Sequence, residues 1–416
     1  MQGIKSPLCR LTSVLLIISP FFFPLYLLKF EMAGIPLTVL EVFCYVLFLF
    51  YLIGLWRKDY KIDWKSPAKW YYYLAFILLL GAVLGTLTVP HEIILPGGQQ
   101  VDPQRVAMGV LKGWVLAPML YFFVLTQRIE KSVDLKKLGL SFVASGALVA
   151  LVSYFFGIFG NGFATDARLT GFFESANYLS LYLVPAFLLS LYYGYDSKSS
   201  TSFQRWVNLV SIATIGHALL MTQSYAAILA VFGSIGLFIL RLVILHRKTN
   251  KKLFWAFILL VVAFLGLMAT QLNSPKFKQF LEWDIRSSTS VRLEIYQVSA
   301  RLIQDHPLTG VGPGLFQSYY QTQAPLVFGR VPLEWNMPHP HNIFLAFWLN
   351  AGLLGFLALL GFLFLTHRQF TYPLLAFWGI LIHGLFDTPF WKNDLAMVFW
   401  LVVGAIVILQ RERHSS

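Results

Sequence analysis

The sequence predicts an all-α integral membrane protein of about twelve transmembrane helices, with one long outer loop carrying short amphipathic helices. Three observations predict it. The 416 residues are 57% hydrophobic and 17% aromatic but only 12% charged, against about 25% charged in a soluble domain. Apolar runs long enough to cross a bilayer, roughly 20 residues each, recur along the whole chain. The basic residues sit in alternate short loops between those runs, so the formal charge of +13 reads as an orientation signal and not as a nucleic-acid surface.

Lys5 and Arg10 precede the apolar run 11–28. No small-x-small cleavage site follows, and Lys29-Phe30-Glu31 would be a poor one, so an uncleaved first span is expected. Further spans are expected at 35–55, 70–89, 106–125, 138–159, 172–193, 206–220, 222–245, 253–271, 343–366, 370–386 and 390–409. With Lys5 and Arg10, the loops at 57–69, 128–137, 198–205, 241–252, 368 and 411–413 hold 21 of the 32 basic residues. That side is therefore cytoplasmic, both termini are on it, and the segment 273–341 faces outward, where neither ATP nor nucleotide sugars are available. Cys9 precedes the first run and Cys44 lies inside the second, which suggests no disulfide, thiolate metal site or nucleophile. No linker, low-complexity tract or inverted repeat divides the chain, so 1–416 is expected to be one polytopic domain.

The loop 273–341 offers the room for chemistry. Residues 290–304 have helical periodicity: Val291, Ile295, Val298 and Leu302 on one side, Arg292, Tyr296 and Ser299 on another. Asp305-His306-Pro307 stops that helix. Gly310, Gly312 and Gly314 follow, and would let the backbone turn tightly and approach a ligand. Arg292 could grip a diphosphate bidentately; the alternative is a solvated charge or a lipid-headgroup contact.

The loop ends at Pro338-His339-Pro340-His341-Asn342, directly before an apolar run. A histidine at the mouth of a helical bundle can move protons near neutral pH; the alternative is a structural hydrogen bond. The two prolines bias the block to an extended form with the rings pointing opposite ways. A zinc site would need further ligands, no matching cluster follows, and no metal is expected. Asn342 could orient the His341 ring or cap the next helix. Glu174 and Asn177 fall at the edge of a span, where polar groups usually face the protein interior or a water-filled cavity. Asp387 and Lys392 share a very short outer turn, and the plain reading is an ion pair tying the last two spans together.

Taken together these residues resemble the O-antigen ligase and polymerase family of bacterial membrane glycosyltransferases. Four stretches carry the resemblance: Arg168-Leu-Thr-Gly-Phe-Phe-Glu174-Ser-Ala-Asn177-Tyr-Leu-Ser; Thr222-Gln-Ser-Tyr225-Ala-Ala; Arg292 through His306-Pro-Leu-Thr-Gly310-Val-Gly312-Pro-Gly314-Leu-Phe; and Pro338-His339-Pro-His341-Asn342-Ile-Phe-Leu followed by Gly352-Leu-Leu-Gly355. Tyr225 stands where the family usually has arginine, Ser175-Ala176-Asn177 replaces a more usual Asn-Pro-Asn, and Tyr296 stands where tryptophan is frequent.

The resemblance implies transfer of a glycan from an undecaprenyl-diphosphate donor to a sugar hydroxyl, on the periplasmic side of the bacterial inner membrane. It implies His341 as the base, with Asn342 and His339 positioning it or the glycan. Arg292 would hold the departing diphosphate, with Arg168 second in place of the missing arginine at 225. Asn177, Glu174, Tyr225, Asp387 and Lys392 are the remaining expected substrate-positioning residues. The displacement would invert the anomeric centre and need no nucleotide, cofactor or metal. The apolar spans would form a lateral groove for the polyprenyl chain. A ligase would use lipid A-core as acceptor, a polymerase the growing glycan, and a protein O-oligosaccharyltransferase a protein hydroxyl. A polysaccharide flippase is the reading of another class, but transporters show repeats and interrupted helices in matching halves, whereas here the polar groups gather on one face.

Overall fold

A computed structural model describes residues 7–32, 34–64, 68–129, 132–160, 162–164, 166–195, 201–245, 251–270, 272, 287–367 and 371–415. Residues 273–286 of the expected outer loop, and parts of several basic loops, lie outside these. The described chain is mainly helical. Among the described residues nine helices are long and apolar enough to cross a membrane, and the protein is an integral membrane protein. Helices Ala176–Tyr195 and Ser202–Met221 and the shorter Pro373–His383 occupy three more of the expected spans.

The first stretches depart from plain helices for visible reasons. α1 (Pro7–Ile18) gives way to a 3₁₀ turn, Ser19–Leu27, which begins where Pro20 cannot continue the α-helical hydrogen bonding and holds Pro24 inside it. The second expected span does not start at 35: β1 (Lys29–Met32) and β2 (Ile35–Thr38) form an antiparallel hairpin, and α2 (Val39–Trp56) begins only after Thr38 caps it through Glu41 N. α3 is Ala68–Leu87; a second small hairpin, β3 (Ile93–Ile94) with β4 (Gln100–Val101), precedes α4 (Pro103–Val110). The all-α expectation thus needs two short hairpins added. A π-helical turn, Leu111–Leu116, joins α4 to α5 (Ala117–Arg128), and there Lys112 pairs with Glu41 at 2.7 Å.

α6 (Ser132–Ile158), α7 (Ala176–Tyr195), α8 (Ser202–Met221), α9 (Tyr225–Leu245) and α10 (Lys251–Thr270) follow. α10 packs mainly on α9 and buries none of its residues; Trp255, Leu259 and Leu265 point outward. The polar segment after it supplies α11 (Ser288–Asp305) and α12 (Phe316–Phe328). These share a small core of their own in which Ile295, Val298 and Leu302 meet Val311, Phe316, Tyr320 and Leu349, the apolar face expected of the 290–304 helix.

α13 (Ile343–His367), α14 (Pro373–His383) and α15 (Asn393–Ser415) complete the fold. α15 is buried almost all round, with Trp400 wholly enclosed between Phe122, Phe362 and Phe399. A helix apolar on every side belongs at the centre of a bundle. It therefore holds its own N-terminus, and the loop leading into it from α14, in a fixed place.

Candidate active site

Three pieces of chain meet at one point: the end of the polar segment (338–342), the strap 384–387 after α14, and one face of α11. The strap binds the segment through its backbone. Ile343 N donates to Gly384 O at 2.7 Å, Asn342 Nδ2 donates to Leu385 O at 3.2 Å, and Arg292 Nε donates to Phe386 O at 3.2 Å. The Tyr296 hydroxyl reaches both His341 O at 3.1 Å and Leu385 O at 3.4 Å. Asn342 Oδ1 accepts from Phe344 N at 2.9 Å and Leu345 N at 3.2 Å, so of its two expected roles the capping of α13 is the one realised.

The histidine block corrects one expectation. Proline bias predicts an extended block with the rings on opposite sides. Instead His341 takes a left-handed backbone, φ +47, and the two imidazoles meet with centroids 4.3 Å apart. The physical reason is that Pro340 restrains its own φ and the residue before it, and leaves His341 free. Such a conformation costs roughly 1–3 kcal/mol for a non-glycine residue. The Tyr296 bond to His341 O, the Ile343 bond to Gly384 O and the Asn342 cap, each worth about 1 kcal/mol, offset it.

Both rings turn to Asp387. His341 Nδ1 lies 3.5 Å and His339 Nε2 3.8 Å from Asp387 Oδ1, and the carboxylate is almost wholly buried, with 2% of its side chain exposed. The same oxygen accepts from Thr388 N at 2.9 Å. Neither ring nitrogen has a hydrogen bond at these distances; the coupling is electrostatic. Burial alone would raise the Asp387 carboxyl, but His341 first, then His339 and His383, hold it below its ordinary range. Burial, and then the neighbouring His341, push His339 down to about 3, and it is neutral at physiological pH. The His341 ring keeps 18% exposure while its Nδ1 is buried, which leaves Nε2 as the nitrogen able to reach a substrate.

The expected Asp387–Lys392 ion pair is not formed. Lys392 turns the other way, pairs with Glu174, and lies 3.8 Å from the centroid of the Tyr178 ring, with Tyr26 and Phe173 at its sides. The reason is geometric: Asp387 is committed to the histidines, and Glu174 stands in the turn just before α7. Tyr178 also contacts the His339 ring edge-on at 5.6 Å, which links Lys392 to the histidine pair. Sequence reasoning passed over Tyr178, although it follows Asn177 directly. His383, at the end of α14, is a third buried imidazole close enough to act on Asp387.

Other expected site residues lie elsewhere. Gly310, Gly312 and Gly314 all have positive φ, as their turns require. They approach helices, not a free surface: Val311 N donates to Leu349 O at 2.8 Å, Gly314 N to Asn350 Oδ1 at 2.8 Å, and a side chain at Gly310 would run into the carbonyls of Trp348 and Leu349. The loop docks α13 where that helix breaks at Ala351 and Gly352. Arg168 is paired with Asp166 at 2.6 Å. Asn177 lies in the first turn of α7, half-buried, and Tyr225 opens α9. Glu294, absent from the sequence-based site, is buried in α11, pairs with Arg330 and accepts from Leu333 N at 2.8 Å. It fixes the segment that leads to the histidines.

No curated protein matches the chain. A family model described as O-antigen ligase matches residues 210–360, which contain three of the four motif stretches, the glycine loop, Arg292 and the histidine block. The family points to a membrane glycosyltransferase with a lipid-linked glycan and an acceptor as its general partners. Over residues 210–360 the chain is thus similar to the O-antigen ligase family.

Proposed function

We propose that this protein transfers a glycan from an undecaprenyl-diphosphate donor to a sugar hydroxyl, on the outer side of the inner membrane of a bacterium, with lipid A-core as acceptor. In this reading about twelve spans form the bundle, both termini are cytoplasmic, and the polar segment ending at 341 is periplasmic. His341 Nε2 takes the proton of the acceptor hydroxyl as its oxygen attacks the anomeric carbon. The bond to the diphosphate breaks with its electron pair, and one displacement inverts the centre. Arg292 carries the charge of the leaving group. Lys392 is the second cation at the mouth, and Arg168 joins them only by exchanging Asp166 for phosphate. Asp387 orients His341 and stabilises the imidazolium as it forms, the role a buried carboxylate plays beside a histidine base. His339 stays neutral and contributes shape and hydrogen bonding toward the glycan.

One observation carries the reading. His341 is held in a left-handed turn with Nδ1 against a buried carboxylate, while Arg292 is bonded to the residue before that carboxylate. A base and an anion-binding cation thus share one short strap. The product decides between family activities that share such a site. Detergent-solubilised protein, lipid-linked glycan and lipid A-core, without nucleotide, should yield glycan on lipid A-core. Lengthening of the lipid-linked glycan would make the protein a polymerase, and glycan on a protein hydroxyl an oligosaccharyltransferase. Transfer to no acceptor would overturn the reading.

A further inference from the structure

The histidine pair and Asp387, placed above in the transfer site, also form a set of metal donors. One ligand atom from each of His339, His341 and Asp387 lies within 4.8 Å of the other two, with His341 Nδ1 at 3.5 Å and His339 Nε2 at 3.8 Å from Asp387 Oδ1. A tetrahedral zinc ion sits about 2.0–2.1 Å from such donors, which sets them roughly 3.4 Å apart. The two contacts to Asp387 need to close by only a few tenths of an ångström, and the two imidazole nitrogens by no more than about 1.4 Å. His341 Nδ1 is buried with no hydrogen-bond partner, and Thr388 N fixes the Asp387 oxygen that faces both rings, as hydrogen bonds to metal-ligating carboxylates do. We infer that His339, His341 and Asp387 bind a zinc ion, and that the ion inhibits transfer by tying His341 to the metal and occupying the mouth of the site.

Two imidazoles and one carboxylate suit zinc and not magnesium or calcium, which take mostly oxygen ligands. Three protein ligands leave a fourth position open toward the exposed edge of the site. Arg292 and Lys392 oppose a further cation here, and Glu174 offsets Lys392. The inhibitory half of the inference rests on His341 being the base; the binding half does not.

The test uses the full chain, purified metal-free in detergent and titrated with Co²⁺ as a visible probe. The expected result is one Co²⁺ per chain with the intense absorption of a tetrahedral site, displaced by Zn²⁺. The affinity should weaken at least about 10-fold in His339→Ala and in Asp387→Asn and stay unchanged in His306→Ala. Should either variant fail to fold, a Zn²⁺-dependent rise in the wild-type Tm reads the same site, with His339→Gln as the milder change. Absence of stoichiometric binding, or binding indifferent to both substitutions, overturns the metal site and leaves the transfer reading intact. Zn²⁺ should also stop transfer over the concentration range in which it displaces Co²⁺, with recovery on chelation. Transfer that continues with the site occupied overturns the inhibition and counts against His341 as the base.

Discussion

Replacing Asp387 by asparagine isolates the electrostatic part of the proposed mechanism. The change keeps the size of the side chain and removes the one negative charge facing both histidines. At 3.5 Å from His341 Nδ1, a full ion pair in an effective dielectric near 20 would be worth about 5 kcal/mol. That is an upper bound on how much Asp387 stabilises the imidazolium formed during transfer. The His341 ring is partly exposed, so about half should survive solvent screening, roughly 2.4 kcal/mol or about 60-fold in rate. The assay is the initial rate of glycan transfer at saturating donor, with the KM for the donor and the Tm measured on the same preparation. The expected outcome is a kcat about 60-fold lower with KM little changed, measured well below a Tm that loss of the carboxylate charge also lowers. A kcat within about threefold of wild type would refute Asp387 as the partner of the base, since less than about 0.7 kcal/mol would then be lost.

Three further predictions concern neighbouring residues. Lys392→Met should raise the KM for the lipid-linked donor about tenfold, one charge-assisted contact; an unchanged KM with a lower Tm would reduce Lys392 to a packing role against Tyr178. Glu294→Gln removes the charge and turns one of two acceptor oxygens into a donor, so either Arg330 or Leu333 N loses its buried partner and thermal unfolding should show a loss of roughly 1–3 kcal/mol; an unchanged Tm would show that α11 is fixed by its apolar face alone. Acid should destabilise the fold: the unfolded chain protonates a histidine near 6.5 while folded His339 stays neutral to about 3, so stability falls as pH drops from 6.5 toward 3, and the low Asp387 pKa acts in the same sense below about 4. A Tm that rises between pH 6.5 and 4.5, or a slope unchanged in His339→Gln, would contradict this.

The helices were largely legible because their signal is local. Runs such as 138–159 and 343–366 are long and apolar enough to declare themselves, and the face formed by Ile295, Val298 and Leu302 follows from helical spacing alone. What failed depended on partners distant in sequence. Ile35–Thr38 is apolar like a helix start, but it pairs with Lys29–Met32 across a hairpin. His341 looked extended because the effect of proline on its neighbours is local, whereas the turn it adopts is fixed by Gly384, Leu385 and Tyr296. Asp387 and Lys392 invited a local ion pair and instead found His341 and Glu174. The glycines at 310, 312 and 314 were legible as turns, but what they approach is α13. Residue types thus pointed to the site, and their arrangement came from the strap that the buried α15 holds in place.

The proposed transfer turns on His341 taking the proton of the acceptor hydroxyl. The direct measurement is transfer from lipid-linked glycan to lipid A-core in detergent, without nucleotide and with EDTA present, comparing wild type with His341→Ala at equal Tm. Conjugate from the wild type and a rate at least about 100-fold lower from the variant are expected. Conjugate formed by His341→Ala at a rate near that of wild type would contradict that role.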